Sequence, residues 1–598
     1  MGFSLRPTGG ASYARKVSRA PRKPPKPQQA DPQVDAPSIA APDSDSPLTE
    51  ALAETQAAQL AKPAAKPSMM RSSVIYSGLT LVSRFVGFFR DLAVSYTMGA
   101  SAGVAADAWN TALAFPNLFR RLFAEGAFAS AFVPAYAKTL AAEGEAVADK
   151  LAADALATLL AATVTLCVAA QIAMPWLMYL IAPGFAATPG KFKLAILLTQ
   201  ITMPYLPCMA IVAHLSGVLN AKSRFVASAA APILLNIVTL VAVLPQHTPV
   251  GAATAASWGA LISGVLQAAL LWWSVRRAGA QIGVTWPRLT PEIKALIGLA
   301  LPGAIAASAT QINVFISSVL ASGVNGARTW LSVADRLYQL PLGLVGVAIG
   351  VALLPRLSTA VGTGDKKDAQ LAMDEAIAYA LALTLPAAAA LFAMPYFLID
   401  ALFTRGEFLE FDAVQTAAAL FHYGWGTPAF VLARILAPAF FARRDTKGPM
   451  RFALISVAVN IVLGIALYKV VGFQGIAAAT SIAAWLNVAQ MTAALAKRGD
   501  YKPSPAAISR LLKILVASAA MAAFLGAASI ARPLYEPYLW RKEIALLVVI
   551  CVSVPFYFGM LMALRAVTPA ELRTVLRRRP RPAGDLPKTD DGPIDPIP

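Results

Sequence analysis

The sequence predicts an all-α integral membrane protein of about fourteen transmembrane helices, arranged as two six-helix lobes followed by two C-terminal helices. Three observations predict it. The chain is 57% hydrophobic and 14% charged over 598 residues, with a mean hydropathy of +0.60, whereas a soluble globular chain carries roughly a quarter charged residues. Its apolar residues come in runs of about 20 or more, enough to cross a ~30 Å hydrocarbon core as helix, with none of the short alternating segments of a β-barrel. The basic residues between these runs alternate in density, as they do when successive loops lie on opposite sides of a membrane.

Taken in order, residues 1–70 are rich in Ala, Pro, Lys and Arg and hold no apolar signal-like stretch. Such a segment cannot bury enough surface to offset its ordering entropy, so a disordered cytoplasmic tail is expected. The spans fall near 72–97, 104–137, 152–182, 192–219, 226–245, 251–275, 292–321, 328–357, 370–400, 411–441, 449–469, 474–496, 508–531 and 542–566. The expected division is a first lobe over 71–290, a second over 291–500, the last two helices over 501–568, and a basic, Pro-rich cytoplasmic tail over 569–598 containing Arg577, Arg578, Arg579 and Arg581.

With these spans, nineteen lysines and arginines fall on one side, among them Lys222, Arg224, Arg276, Arg277, Arg443 and Arg444. Eight fall on the other: Lys191, Lys193, Arg328, Arg405, Lys469, Arg532, Arg541 and Lys542. The denser side is the cytoplasmic one, and an even number of spans puts both termini there. The net charge of +19 is accounted for by these helix ends and the tails, so no nucleic-acid partner is expected. A weak repeat also runs through the chain at an offset of about 220 residues: Trp109, Pro116 and Pro134 echo Trp330, Pro341 and Pro355, and Lys222, Arg224 and Asn236 echo Arg443, Arg444, Lys447 and Asn460. Parallel repeats of this kind suggest a site between lobes and alternating access.

The candidate site rests on charges inside spans. The first span carries Arg84, Arg90 and Asp91; the second carries Asp107, then Asn117, Arg120, Arg121 and Glu125; the eighth carries Asp335 and Arg336; the tenth carries Arg434. At mid-depth each such group costs at least ~2.5–3.5 kcal/mol, so it should face a watery cavity or a partner. Arg84 and Asp91 share a helix face by spacing, while Arg90 points away from them; Arg121 and Glu125 can pair at i, i+4. Arginine offers a fixed fork of donors that grips two phosphate oxygens at once, so Arg84, Arg90, Arg120 and Arg336 read as a site for a phosphate or pyrophosphate group. Asp91, Asp107, Asn117, Arg121, Glu125, Asp335 and Arg434 are the expected supporting residues. Cys167, Cys208 and Cys551 lie singly in apolar segments and read as buried inert thiols, and the three histidines are scattered. No P-loop or nucleophile elbow occurs, so no enzyme, cofactor or metal is expected.

Four passages resemble the MurJ (MviN) family, the proposed lipid II flippases within the MOP exporter superfamily. They are Ser83 to Asp91, Phe115 to Phe128, Ala334 to Leu337 with Pro341 to Gly343, and Leu436 to Pro438 with Arg443 to Pro449. The likeness covers about residues 70–570. It implies a MATE-like pair of lobes around a cationic cavity, with Arg84, Arg90, Arg120 and Arg336 at the family's required arginines and Asp107 lining the cavity. It also implies a groove for a polyprenyl tail beside the last two helices, location in the bacterial cytoplasmic membrane, and a polyprenyl-pyrophosphate lipid and membrane lipids as partners, with cell-wall synthesis machinery as a further one. Some members hold sodium near acidic residues of the second lobe; here the seventh span offers Gln311 and Asn313 but no carboxylate. The alternatives are a flippase for another polyprenyl-pyrophosphate glycan, a MATE-type efflux antiporter, which would want acidic cavities, and a membrane scaffold, which would not need buried arginines.

Overall fold

Hydrocarbon offers no partner for an open backbone N–H or C=O, so a chain this apolar has to satisfy those groups within each segment. All regular structure among the described residues is accordingly helical. The computed structural model describes residues 67–120, 127–348 and 353–567; the expectations for both tails, apart from 67–70, lie outside them.

The helices run α1 Pro67–Met98, α2 Ala105–Arg120, α3 Ala127–Glu143, α4 Glu145–Ile181, α5 Lys191–Thr202, α6 Tyr205–Ala221, α7 Val226–Val243, α8 Pro249–Arg277 and α9 Pro291–Ala321. They continue with α10 Ala327–Ala348, α11 Leu354–Gly362, α12 Lys366–Ala393, α13 Pro395–Phe403, α14 Glu410–Phe441, α15 Lys447–Val471, α16 Gln474–Arg498, α17 Pro505–Ile530 and α18 Lys542–Ala563. Among the described residues, nine helical segments are long and apolar enough to cross a membrane on their own. The described residues of each of the other expected spans are also helical. α1 starts at Pro67, inside the stretch expected to be tail.

Starts are set by short polar caps followed by proline. Thr248, Thr290 and Ser504 each accept the backbone N–H three residues on, and Pro249, Pro291 and Pro505 fill the first helical position, where a missing N–H costs nothing. Proline also marks breaks: α5 gives way to α6 at Pro204, and α12 to α13 at Pro395.

The packing repeats itself. In the first half α7 pairs with α8, α6 with α8, α4 with α6 and α1 with α7; in the second, α15 pairs with α16, α14 with α16, α12 with α14 and α9 with α15. Polar bonds repeat too. Asp149 at the start of α4 accepts Gln281 N–H and the Tyr136 hydroxyl at 2.6 and 3.0 Å, and Asp374 in α12 accepts Ser504 N–H and the Tyr501 hydroxyl at 3.4 and 2.6 Å. One element departs from two separate lobes: α9 opens on the first half, where Ile293 and Leu296 join a core with Tyr136 and Leu156, and packs further along on α15. α17 packs on α12 and α18 on α17. Fully buried alanines, including Ala105, Ala252, Ala419 and Ala477, let the helices approach closely, while Ile172, Trp176 and Val241 point outward. Cys551 is exposed on α18 rather than buried as expected.

Candidate functional site

A cavity of about 690 Å³ opens between α1, α2, α3, α6, α7, α8 and α10. Among the described residues its charged lining is Arg84, Arg90 and Arg336, with no carboxylate. Arg90 does not point away from Asp91 as helix geometry alone suggests. Its guanidinium folds back to Asp91 Oδ1, with Nε at 3.0 Å, and donates through Nη1 to Asn236 Oδ1 on α7 at 2.9 Å. Asn236 in turn donates to Ser83 O at 3.0 Å, so α7 fixes the turn of α1 that carries the arginines. Arg336 on α10 reaches Asp91 Oδ2 through Nε at 2.6 Å. Asp91 is thus shared by an arginine from each half of the chain. The Arg336 side chain stays 44% exposed, and its terminal nitrogens have no hydrogen-bond partner among the described residues. Arg84 crosses α10 at Gly343, where an added Cβ would sit 1.7 Å from Arg84 Nη1, and faces Gln339 O at 3.4 Å. A side pocket of about 180 Å³ carries the space from Arg90, Asp91 and Arg336 on to Asn110 and Thr329, and Asn117 lines both.

Beyond Asn110 and Thr329 lies a buried polar junction. Asp107, fully buried, accepts Lys191 Nζ at 2.6 Å, Gly326 N–H at 2.8 Å, Thr329 N–H at 3.0 Å and the Thr329 hydroxyl at 2.7 Å. Lys191, equally buried, also donates to Asn325 Oδ1 at 2.7 Å. Arg328 spans the same seam, bonding Ser318 O at 2.9 Å as well as the Thr111 hydroxyl and Ile181 O. Glycines bring the backbones together at this end: Gly184 N–H reaches Ser322 Oγ at 3.2 Å, and a Cβ on Gly184 would lie 2.3 Å from Ser322 O. The carboxylate therefore joins α2 and α5 to the start of α10, beyond the Thr329 end of the side pocket.

The family described as "Lipid II flippase MurJ" matches residues 94–540. A curated relative from Rhizobium meliloti, named "Probable lipid II flippase MurJ", is 40% identical, over 86% of this chain and 97% of its own length. The chain belongs to the MurJ family. A Burkholderia cenocepacia relative named "Lipid II flippase MurJ" is 32% identical over 77% of this chain and 90% of its own. In fold, the chain resembles a structure titled "Lipid II flippase MurJ, inward closed conformation", with TM-score 0.66 and 24% identity over 81% of this chain and 98% of that one. It also resembles an inward-facing MATE transporter of the MOP superfamily, with TM-score 0.53 and 15% identity over 75% and 98%.

Against this MurJ-family frame the remaining expected site residues sort cleanly. Arg84, Arg90, Asp91, Asn117 and Arg336 come together. Asp107, which the resemblance puts in the cavity lining, is instead fully buried and lines neither the cavity nor the side pocket. Asp335 lies outside the cavity lining and accepts Gln339 Nε2, one turn on. Arg434 is exposed on α14, outside that lining. Arg120 ends α2, and its side chain, with the whole of Arg121 and Glu125, lies outside the described residues. From sequence Lys191 and Arg328 read as charges at the outer ends of spans, and nothing in their local sequence says otherwise. The available signal was Asp107 itself, a mid-span carboxylate that needs a cation.

Proposed function

We propose that this chain flips lipid II, an undecaprenyl-pyrophosphate-linked peptidoglycan precursor, from the inner to the outer leaflet of the cytoplasmic membrane by alternating access. One observation carries the reading: a cavity lined by three arginines from both halves of the chain, with a single shared carboxylate behind them. Arg84, Arg90 and Arg336, joined by Arg120, grip the pyrophosphate through forked hydrogen bonds. As the anion arrives it displaces Asp91 from part of its contact with Arg336. In this reading the Asp107 junction is the closed outer door. Opening it requires Asp107 to give up Gly326 and Thr329. α17 and α18 accommodate the polyprenyl tail. No bond is made or broken in this cycle, so no catalytic residue is assigned.

All fourteen expected spans cross the membrane in this reading, with both termini cytoplasmic. Reporters fused after Thr363 and Gly499 then read inside, and one after Gly406 reads outside; reversal of any of them removes the orientation. The substrate test is depletion of the protein in its host. Lipid II accumulating on the inner leaflet supports the proposal. Accumulation of a different polyprenyl-pyrophosphate glycan, with lipid II unaffected, replaces it by the second reading, which the same arginine cavity would serve.

A further inference from the structure

The segment joining the two halves, residues 278–290 between α8 and α9, has a surface that the transport cycle does not use. Its first part is pinned. Ala280 and Ile282 are buried in the core of the first half, Gln281 N–H is held by Asp149, and the Thr285 hydroxyl meets Asp154 at 3.3 Å. Its second part is apolar and uncovered: Val284 is 91% exposed, Trp286 83% and Leu289 61%. Around it the charge is one-sided. From 271 to 300 the chain carries Arg276, Arg277, Arg288 and Lys294 against Glu292 alone. Arg276 and Arg277 lie over the rings of Trp272 and Trp273, at 5.7 and 4.2 Å, and Trp273 is itself half-exposed. None of the three arginines has a carboxylate partner among the described residues.

An apolar, tryptophan-bearing strap between the ends of two helices sits where the hydrocarbon of a bilayer meets its headgroups. Guanidiniums stacked on indoles keep their N–H edges free for phosphate oxygens. We propose that residues 283–290 and the end of α8 bind anionic glycerophospholipid, with Val284, Trp286 and Leu289 inserted at the level of the upper acyl chains and Arg276, Arg277 and Arg288 on the headgroup phosphates. Because Asp149 and Asp154 tie this strap to the first half, the lipid fixes that half in the membrane while the other moves. The choice of the cytoplasmic leaflet rests on the orientation proposed above; the lipid contact does not.

The test uses the full chain in vesicles of equimolar phosphatidylcholine and phosphatidylglycerol, with bromine on the acyl chains of one lipid or the other. The difference in emission between the wild type and Trp286→Phe isolates Trp286. Brominated phosphatidylglycerol is expected to quench it more than brominated phosphatidylcholine, and that preference should fall about fivefold for each of Arg277→Gln and Arg288→Gln. Equal quenching by the two lipids overturns the anionic site, and no quenching overturns insertion. The arginines are exposed, so their variants should fold normally, which thermal unfolding in detergent checks. Gly283 has open space for a side chain. Gly283→Cys, in a background lacking Cys167, Cys208 and Cys551, should react with an impermeant thiol reagent only in inverted membrane vesicles. Reaction in right-side-out vesicles would overturn the leaflet assignment, and quenching would still decide the lipid contact.

Discussion

Asp91 and Asp107 stand on consecutive helices, α1 and α2, and each ties the first half of the chain to α10 through cations or donors. Their surroundings differ in one respect: Asp107 is wholly dry and meets four donors, whereas the Asp91 side chain is 19% exposed and meets two arginines, one of them still open to the cavity. A buried charge with every lone pair occupied can be removed only at the cost of stranding its partner. A half-wet carboxylate between cations can yield its place to another anion. The same residue type is a seal in one place and an exchangeable counter-ion in the other. That difference can be tested by breaking each.

The largest effect is expected at the seal. Asp107→Ala leaves the Lys191 ammonium buried without its counter-charge, a loss of roughly 3–5 kcal/mol for a broken buried pair. Thermal unfolding of the purified protein should fall accordingly, and complementation of a depletion strain should fail. Lys191→Met removes the cation and keeps the Gly326 and Thr329 donors on Asp107, so it should be milder. Equal stability of Asp107→Ala and the wild type would show that the junction contributes nothing.

Next come the arginines. Lysine preserves charge but offers a point donor in place of a fork. Losing one charge-assisted hydrogen bond of roughly 1.5–3 kcal/mol implies about tenfold or more in transport. Arg90→Lys and Arg336→Lys should therefore complement poorly at normal membrane levels. Full rescue by both, together with Arg84→Lys and Arg120→Lys, would reduce the site to general electrostatics. Asp91→Asn should act in the opposite direction to Asp107→Ala. The protein stays folded, a pyrophosphate-bearing lipid binds more tightly, and release slows, because the returning counter-ion is gone. A weaker affinity in a binding titration would show that Asp91 positions the arginines rather than competing for them.

Much of this was legible from residues alone, and the reasons for the remainder are physical. Helix positions follow from hydropathy, and the starts at Thr248, Thr290 and Ser504 from cap-plus-proline chemistry. The paired Asn236 and Asn460 of the repeat do occupy equivalent places: Asn236 meets Arg90 on α1, and Asn460 meets Asn313 on α9 at 2.9 Å. The charged partner stands only in the half that lines the cavity. What spacing could not give was direction in space. Arg90 and Asp91 are adjacent, so an ideal helix splays them apart, yet a long guanidinium can curl back, and Asn236 from another helix holds it there. Asp107, Lys191 and Arg328 are scattered along the sequence and meet only because Gly184 and Gly326 let two backbones touch. The drift of α9 from one half to the other is likewise a tertiary fact, set by Ile293 and Leu296 at its start and Asn313 further along.

The smallest effect, and the most discriminating, concerns Gly343. It lies inside α10, where alanine is the better helix former by about 1 kcal/mol, so Gly343→Ala should leave thermal stability unchanged or slightly raised. The new methyl would nevertheless occupy the seat of Arg84 Nη1. Arg84 is exposed and, among the described residues, held only by the long contact to Gln339 O, so it can swing aside, at roughly 0.5–1.5 kcal/mol if the new rotamer is poor. Transport should then drop severalfold while the fold stays intact, a split that a merely structural glycine would not produce. The double variant Arg84→Ala with Gly343→Ala decides the cause. If the methyl acts through Arg84, the glycine change adds nothing once the arginine is gone, since residues in contact fail additivity. If the two losses add, Gly343 serves the closure of α10 against α1 in its own right. Full transport by Gly343→Ala would mean that Arg84 works from a different seat than the one beside Gln339.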